Sequence, residues 1–142
     1  MKFPFHKNVA SENETAKIAK EFSKVLFPGD IVLLNGDLGS GKTFFVKRIC
    51  SRFGINTVSS PSFSIVNEYH NGRKITHFDF YRIKKIEELY DIGFEDYLMN
   101  DEAIVFIEWA NMFPEILPGK SYEIEIKCAN NSSREISILK HE

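Results

Sequence analysis

Apolar residues recur in this chain at two periods, and the switches between them mark out the elements. Ile18, Phe22 and Val25 fall at helical spacing behind Ser11-Glu12-Asn13-Glu14. That tetrapeptide reads as a capping box, with Ser11 as the N-cap and Glu14 three residues on. Phe27-Pro28-Gly29-Asp30 ends this helix. Residues 31–34 are a short apolar run, read as a strand, and a second helix is predicted over 43–50, stopping near Phe53-Gly54. Residues 63–69 and 75–81 are strand-like on either side of Asn71-Gly72, a strong hairpin signal. A short helix over 84–90 and a turn with another short helix over 91–98 come next. Residues 103–107 form an unbroken apolar run, as expected of a strand covered on both faces. Pro114 and Pro118 mark a loop, and the alternating runs 122–128 and 134–139 flank the polar stretch 129–133 as a second hairpin.

Strands that alternate with helices in the first part, joined by hairpins, predict an α/β fold. The sheet is expected to be mixed parallel and antiparallel, with helices on its faces. At 142 residues, one domain spanning 1–142 is expected, and an apolar fraction of 43% is enough for one packed core. A net charge of −2 gives the molecule no overall field for a polyanion, so contact with nucleic acid would be local or delivered by a partner. Lys42, Lys47, Arg48 and Arg52 make a basic segment on the second helix, consistent with a solvated helix face. Cys50 and Cys128 lie far apart in no metal-like spacing, and both read as small core residues of a reducing compartment. The N-terminal residues lack the apolar core of a signal peptide, and no run approaches a membrane span. A cytoplasmic protein is expected, with no membrane and no DNA partner.

The run after the first apolar strand carries the chemistry. Gly36-Asp37-Leu38-Gly39-Ser40-Gly41-Lys42-Thr43 is Gly-x-x-x-x-Gly-Lys-Thr, a P-loop. Its glycines let successive backbone N–H groups point inward, and the following helix adds its positive end. Lys42 can reach β- and γ-phosphates, and the Thr43 hydroxyl can ligate Mg²⁺. From average residue usage, a chance match in a chain this long has a probability of about 0.5%. The strand-before, helix-after context lowers it further. A P-loop enzyme needs a second acid near the metal, and Glu108, at the carboxyl end of the unbroken apolar strand, is the best placed. Asp79 is the second candidate. Alternation puts His77, Asp79 and Tyr81 on one face and Phe78 and Phe80 on the other. That polar face beside Arg82 is either a lined site or a solvated strand face. Ser60-Pro61-Ser62-Phe63 offers hydroxyls near the γ-phosphate or Asp79, and Trp109 is either a core aromatic or an interface anchor.

These segments together resemble the bacterial TsaE family, the small ATPases of tRNA threonylcarbamoyladenosine synthesis. The resemblance rests on residues 34–43, on Ser60-Pro61-Ser62-Phe63, Glu68-Tyr69 and His77-Phe78-Asp79-Phe80-Tyr81-Arg82, on Glu87-Glu88-Leu89 with Gly93, and on Ile107-Glu108-Trp109 and Ile116-Leu117-Pro118. Order and spacing agree from about Ser11 to Pro118. Three positions depart from the family's pattern: Ser40 stands where Ala is usual, Phe44 where a second Thr is usual, and Ser62 where Thr is usual. Phe44 removes a hydroxyl near the α-phosphate but keeps its N–H.

The resemblance implies a three-layer P-loop NTPase-like domain that binds ATP or ADP with Mg²⁺. It implies association with the TsaB–TsaD pair, which carries out the threonylcarbamoyl transfer beside the tRNA anticodon, so that tRNA is met only through the complex. Carried over by position, Lys42, Asp79 and Glu108 are the catalytic residues. Asp37, Leu38, Gly39, Ser40, Gly41, Lys42, Thr43 and Phe44 hold the nucleotide, with Thr15 near the adenine, and Thr43 and Glu108 hold Mg²⁺. ATP hydrolysis is expected to be slow without partners, because Arg82 is the one candidate for an arginine finger. The rival readings are a small-molecule P-loop kinase and a nucleotide-dependent binding module. A kinase would want an Arg-rich lid, whereas Glu87, Glu88, Asp91, Glu95, Asp96, Asp101 and Glu102 make the corresponding region acidic.

Overall fold

In the computed structural model, residues 1–59, 65–130 and 132–142 are described. The segment Ser60-Pro61-Ser62-Phe63, the start of the strand expected from residue 63, and Asn131 in the second hairpin's loop lie outside them. The described strands form one seven-stranded sheet in the order β1-β7-β6-β2-β5-β4-β3. They are β1 (Phe5–Val9), β2 (Ile31–Asn35), β3 (Val66–His70), β4 (Lys74–Asp79), β5 (Ala103–Glu108), β6 (Ser121–Cys128) and β7 (Arg134–His141). The four central strands β6, β2, β5 and β4 run parallel, whereas β3, β7 and β1 pair antiparallel at the edges. The sheet is therefore mixed, as expected, and both predicted hairpins are present.

The unbroken apolar runs are explained by cover on both faces. In β2, Val32 and Leu34 join the core beneath helices α1 (Glu12–Ser23) and α2 (Lys42–Arg52). Ile31 and Leu33 join the opposite core, under α3 (Glu87–Asp91), α4 (Phe94–Leu98) and two 3₁₀ turns. β5 divides likewise, with Ile104 and Phe106 on the first side and Val105 and Ile107 on the second. On the second side Phe78 and Phe94 meet edge to face, with ring centroids 5.0 Å apart, a geometry that contributes about 1 kcal/mol beyond the area it buries.

The start of α1 bears out Ser11 as N-cap, its Oγ accepting the Glu14 N–H at 3.2 Å. The Glu14 carboxylate reaches back one residue further than a capping box requires, to the Ala10 N–H. Ile18, Ala19 and Phe22 then face α2 through Phe45, Val46 and Ile49.

Three expectations are corrected. Strand β1 has no counterpart in the sequence reading, because its centre, His6-Lys7-Asn8, is exposed at the sheet edge and shows no apolar alternation. Cys50 is buried, and burial pushes its thiol up to about 12, but Cys128 is exposed at the end of β6 and is no core residue. Within the basic segment, Lys47, Arg48 and Arg52 are solvated while Lys42 is buried. Among the described residues, no helix is long and apolar enough to cross a membrane.

Candidate functional site

β2, β5 and β4 end at the same edge of the sheet. Their register aligns Leu34 with Glu108 and Glu108 with Asp79. In an open α/β sheet, the carboxyl ends of parallel strands are where ligands bind. The P-loop leaves β2 at this edge and turns into α2.

Gly36 makes that turn sterically possible. It has φ of 154°, and a Cβ there would lie 2.4 Å from the Ile126 carbonyl oxygen and 2.6 Å from Ser40 Oγ. Gly41, with φ of 112°, forms the N-cap of α2 and offers no side-chain cap. The first amides of α2, at Lys42, Thr43 and Phe44, consequently have no carbonyl acceptor among the described residues, and the first turn returns only with Phe45 N–H to the Gly41 carbonyl at 2.9 Å. Unpaired amides converging at a positive helix end form an anion cradle.

Lys42 is folded over this cradle. Its Nζ donates to the carbonyls of Gly36 at 2.6 Å and Asp37 at 2.9 Å, and it sits 4.2 Å from the centroid of the Trp109 ring. The residue is 4% exposed. Burial holds its ammonium below the ordinary lysine range, and the Glu108 and Asp79 carboxylates oppose part of that shift. Trp109 is held in a left-handed conformation, with φ of 57°, by its N–H bond to the Leu34 carbonyl at 2.9 Å, and Tyr81 packs against its ring at 4.9 Å.

Beneath Lys42, the Thr43 hydroxyl lies 2.9 Å from both carboxylate oxygens of Glu108. Glu108 is 2% exposed, and His77 Nε2 bonds its Oε2 at 2.5 Å. Asp79 stands next to Glu108 in register, and its Oδ1 accepts the Tyr81 N–H at 2.9 Å, turning the chain out of β4. Thr43 and Glu108 offer two hard oxygen donors beside the anion cradle. That set suits Mg²⁺, which typically takes one or two protein oxygens and completes its octahedron with water and phosphate oxygens. No cluster of three or more His, Cys, Asp or Glu side chains able to form an all-protein metal cage occurs among the described residues.

A cavity of about 940 Å³ opens over these groups, within the range of small-molecule sites. It is lined by Leu38, Gly39, Ser40, Gly41, Lys42, Thr43 and Phe44 of the P-loop and α2, by Asp79, Arg82 and Glu108 at and beyond the strand ends, and by Thr15 of α1. Of the residues given a catalytic, nucleotide-binding or metal role in the sequence, all but Asp37 line it; Asp37 instead gives its carbonyl to Lys42 and to the Ser40 N–H. Asp79, Tyr81 and Arg82 therefore line a site rather than forming a merely solvated face, whereas His77 is fully buried behind it. Trp109 is both a cavity wall and a ring partner of Lys42.

The sequence placed neither Ala10, Ser11 and Glu12 at the start of α1 nor Ser132 and Arg134 from the β6–β7 hairpin in this site. Arg134 Nε donates to the Ser40 carbonyl at 3.1 Å, and Nη1 to the carbonyls of Asn130 and Ser133. It ties the hairpin end to the P-loop across 94 residues of sequence, a distance that no local pattern reveals. His77 did carry a signal, since it shares a strand face with Asp79.

Comparison with known proteins agrees with this architecture. Residues 9–136 match the family model described as threonylcarbamoyl adenosine biosynthesis protein TsaE. The chain is 44% identical over 133 residues to the tRNA threonylcarbamoyladenosine biosynthesis protein TsaE of Rickettsia typhi, covering 92% of this chain and 91% of that one. It is 39% identical over 127 residues to the TsaE of Bacillus subtilis, covering 88% and 78%. Among solved structures, the crystal structure of Bacillus subtilis YdiB superposes with a TM-score of 0.78 at 30% identity, over 100% of this chain and 88% of that one.

Proposed function

The chain belongs to the TsaE family and so to tRNA threonylcarbamoyladenosine biosynthesis, and from that premise we propose that it is the pathway's Mg²⁺-dependent ATP-hydrolysing subunit. It serves the TsaB–TsaD pair without performing the transfer itself. The observation that carries this reading is the pairing of the Thr43 hydroxyl with both Glu108 oxygens at 2.9 Å, directly under the unpaired amides of α2.

On this reading, the nucleotide's phosphates rest on the amides at the start of α2. Lys42 leaves the Gly36 and Asp37 carbonyls and turns its ammonium to the terminal phosphates. Thr43 and Glu108 would hold Mg²⁺, which when bound would supply neutralisation of phosphate charge. Asp79, beside Glu108 at the strand end, accepts a hydrogen bond from the attacking water. Trp109 and Tyr81 cover the Lys42 side and limit water access. Thr15 and its neighbours at the α1 start line the end of the cavity suited to the adenine. The arginines among the described lining residues are Arg82, which is exposed, and Arg134, which is tied to the Ser40 carbonyl, so neither is held as a finger over the P-loop and slow turnover without partners is expected.

The fate of the γ-phosphate tests the reaction class. With ATP labelled at that position, the account expects inorganic phosphate as the product, whether or not a mixture of small metabolites is present. Label transferred to a metabolite would replace the ATPase reading with a kinase.

A further inference from the structure

His77 is a wholly buried polar residue that this mechanism leaves unused. It lies on β4 opposite Phe106, one pleat before the aligned pair Asp79 and Glu108. The sheet face around it carries Ile75, Ile104 and Phe106 of the same core, with Asn67 opposite it on β3. Its side chain is wholly buried, and that of Glu108 is 3% exposed. Nε2 lies 2.5 Å from Glu108 Oε2, while Nδ1 is buried with no hydrogen-bond partner among the described residues.

This pattern does not suit a residue kept for packing. An apolar side chain would fill the space without stranding a nitrogen, and buried polar groups are normally paired. The single polar contact of the imidazole goes to a site carboxylate, not to the backbone. Glu108 has three side-chain torsions to fix. Thr43, its other partner, is itself a candidate ligand, so His77 is the partner that can hold the carboxylate whatever Thr43 binds. We propose that His77 is a positioning residue: it donates from Nε2–H to Glu108 Oε2 and fixes the carboxylate against Thr43, thereby setting the site's affinity for the divalent cation. The inference rests on the reading of Thr43 and Glu108 as the Mg²⁺ ligands. Partners of this kind, one shell out from a metal, typically change metal affinity roughly 10- to 100-fold when removed.

The test uses ADP as probe and the fluorescence of Trp109, the chain's single tryptophan, as readout. ADP affinity is measured in EDTA and across a Mg²⁺ titration for wild type, Glu108→Gln, His77→Leu and His77→Gln. Wild type should bind ADP more tightly with Mg²⁺, and Glu108→Gln should lose that increment. His77→Leu should shift the half-saturating Mg²⁺ concentration upward by roughly 10-fold or more. His77→Gln, which keeps an N–H donor of similar reach, should recover a large part of the shift. His77→Leu in the Glu108→Gln background should add nothing further, because the two act through one contact. A normal Mg²⁺ titration in His77→Leu, with the increment lost in Glu108→Gln, would overturn the proposal for His77 alone. Equal impairment in His77→Leu and His77→Gln would also overturn it, as would a failure of His77→Gln alone if the Leu variant did not fold. The absence of any Mg²⁺ increment in wild type, or its survival in Glu108→Gln, would instead bring down the metal-site reading beneath it.

Discussion

Replacing Lys42 with alanine removes the cation that covers the P-loop, and the structure sets the scale of the loss. In the present geometry Nζ has two carbonyl acceptors, at 2.6 and 2.9 Å, and an aromatic face at 4.2 Å. On the proposed reading, it exchanges these for phosphate oxygens when nucleotide binds. A hydrogen bond to a charged partner contributes about 1.5–3 kcal/mol, and two unit charges 4 Å apart near a protein surface attract by about 4 kcal/mol. The carbonyl and ring contacts given up offset part of that gain. A net loss of about 3 kcal/mol is expected for Lys42→Ala, roughly 150-fold in the Kd for ADP or ATP. Calorimetry reads the loss in both proteins, because the ammonium that faces the Trp109 ring is absent from the variant. Isothermal titration of ADP into wild type and variant measures the difference. An affinity within about threefold of wild type, less than 1 kcal/mol, would refute the placing of Lys42 on the phosphates.

Three further outcomes follow from the same structure. Gly36→Ala places a Cβ 2.4 Å from the Ile126 carbonyl oxygen; a loss of about 3 kcal/mol and a Tm lower by roughly 10 °C are expected, and a Tm within about 2 °C of wild type in calorimetry would contradict the close packing of P-loop on β6. Burial lowers the Lys42 pKa from 10.5, so the charged lysine detracts from stability at neutral pH, and that penalty fades as the pH rises from the folded-state value through 10.5. Urea unfolding at pH 7 and pH 10 should therefore show wild type gaining stability relative to Lys42→Ala at the higher pH; a gap that stays constant or moves the other way rules the burial argument out. Of the two thiols, Cys128 should react with a disulfide reagent in the native protein and Cys50 only after unfolding, since its pKa stands at about 12 and its side chain is buried; two fast thiols in the native state would show the α2 core to be open.

The parts of the fold legible in the sequence were those written as local patterns. The capping box at Ser11, the strand that precedes the P-loop, the Asn71-Gly72 turn and the apolar run ending in Glu108 each announce an element within a dozen residues. The same locality gave Lys42, Thr43, Asp79 and Glu108, because a P-loop and an acid at a strand end are motifs with a fixed reach. β1 escaped notice because an edge strand needs no apolar alternation: Lys7 and Asn8 face solvent, and β1 is held by its pairing to β7. Arg134 escaped because its role depends on a hairpin returning to the P-loop from the far end of the chain. Cys128 was misplaced because it ends an alternating strand where the face has already run out of core. His77 shows the limit most clearly. Alternation placed it beside Asp79, but only the register of β4 against β5 brings it onto Glu108.

The central claim is that this P-loop turns over ATP in the service of its pathway partners. Phosphate release from ATP·Mg²⁺ by the purified protein, with and without TsaB–TsaD from the same source, tests it most directly. The account predicts slow release alone, strong stimulation by the pair, and loss of both in Lys42→Ala. A rate indifferent to the pair, or stimulation that persists in Lys42→Ala, would contradict it.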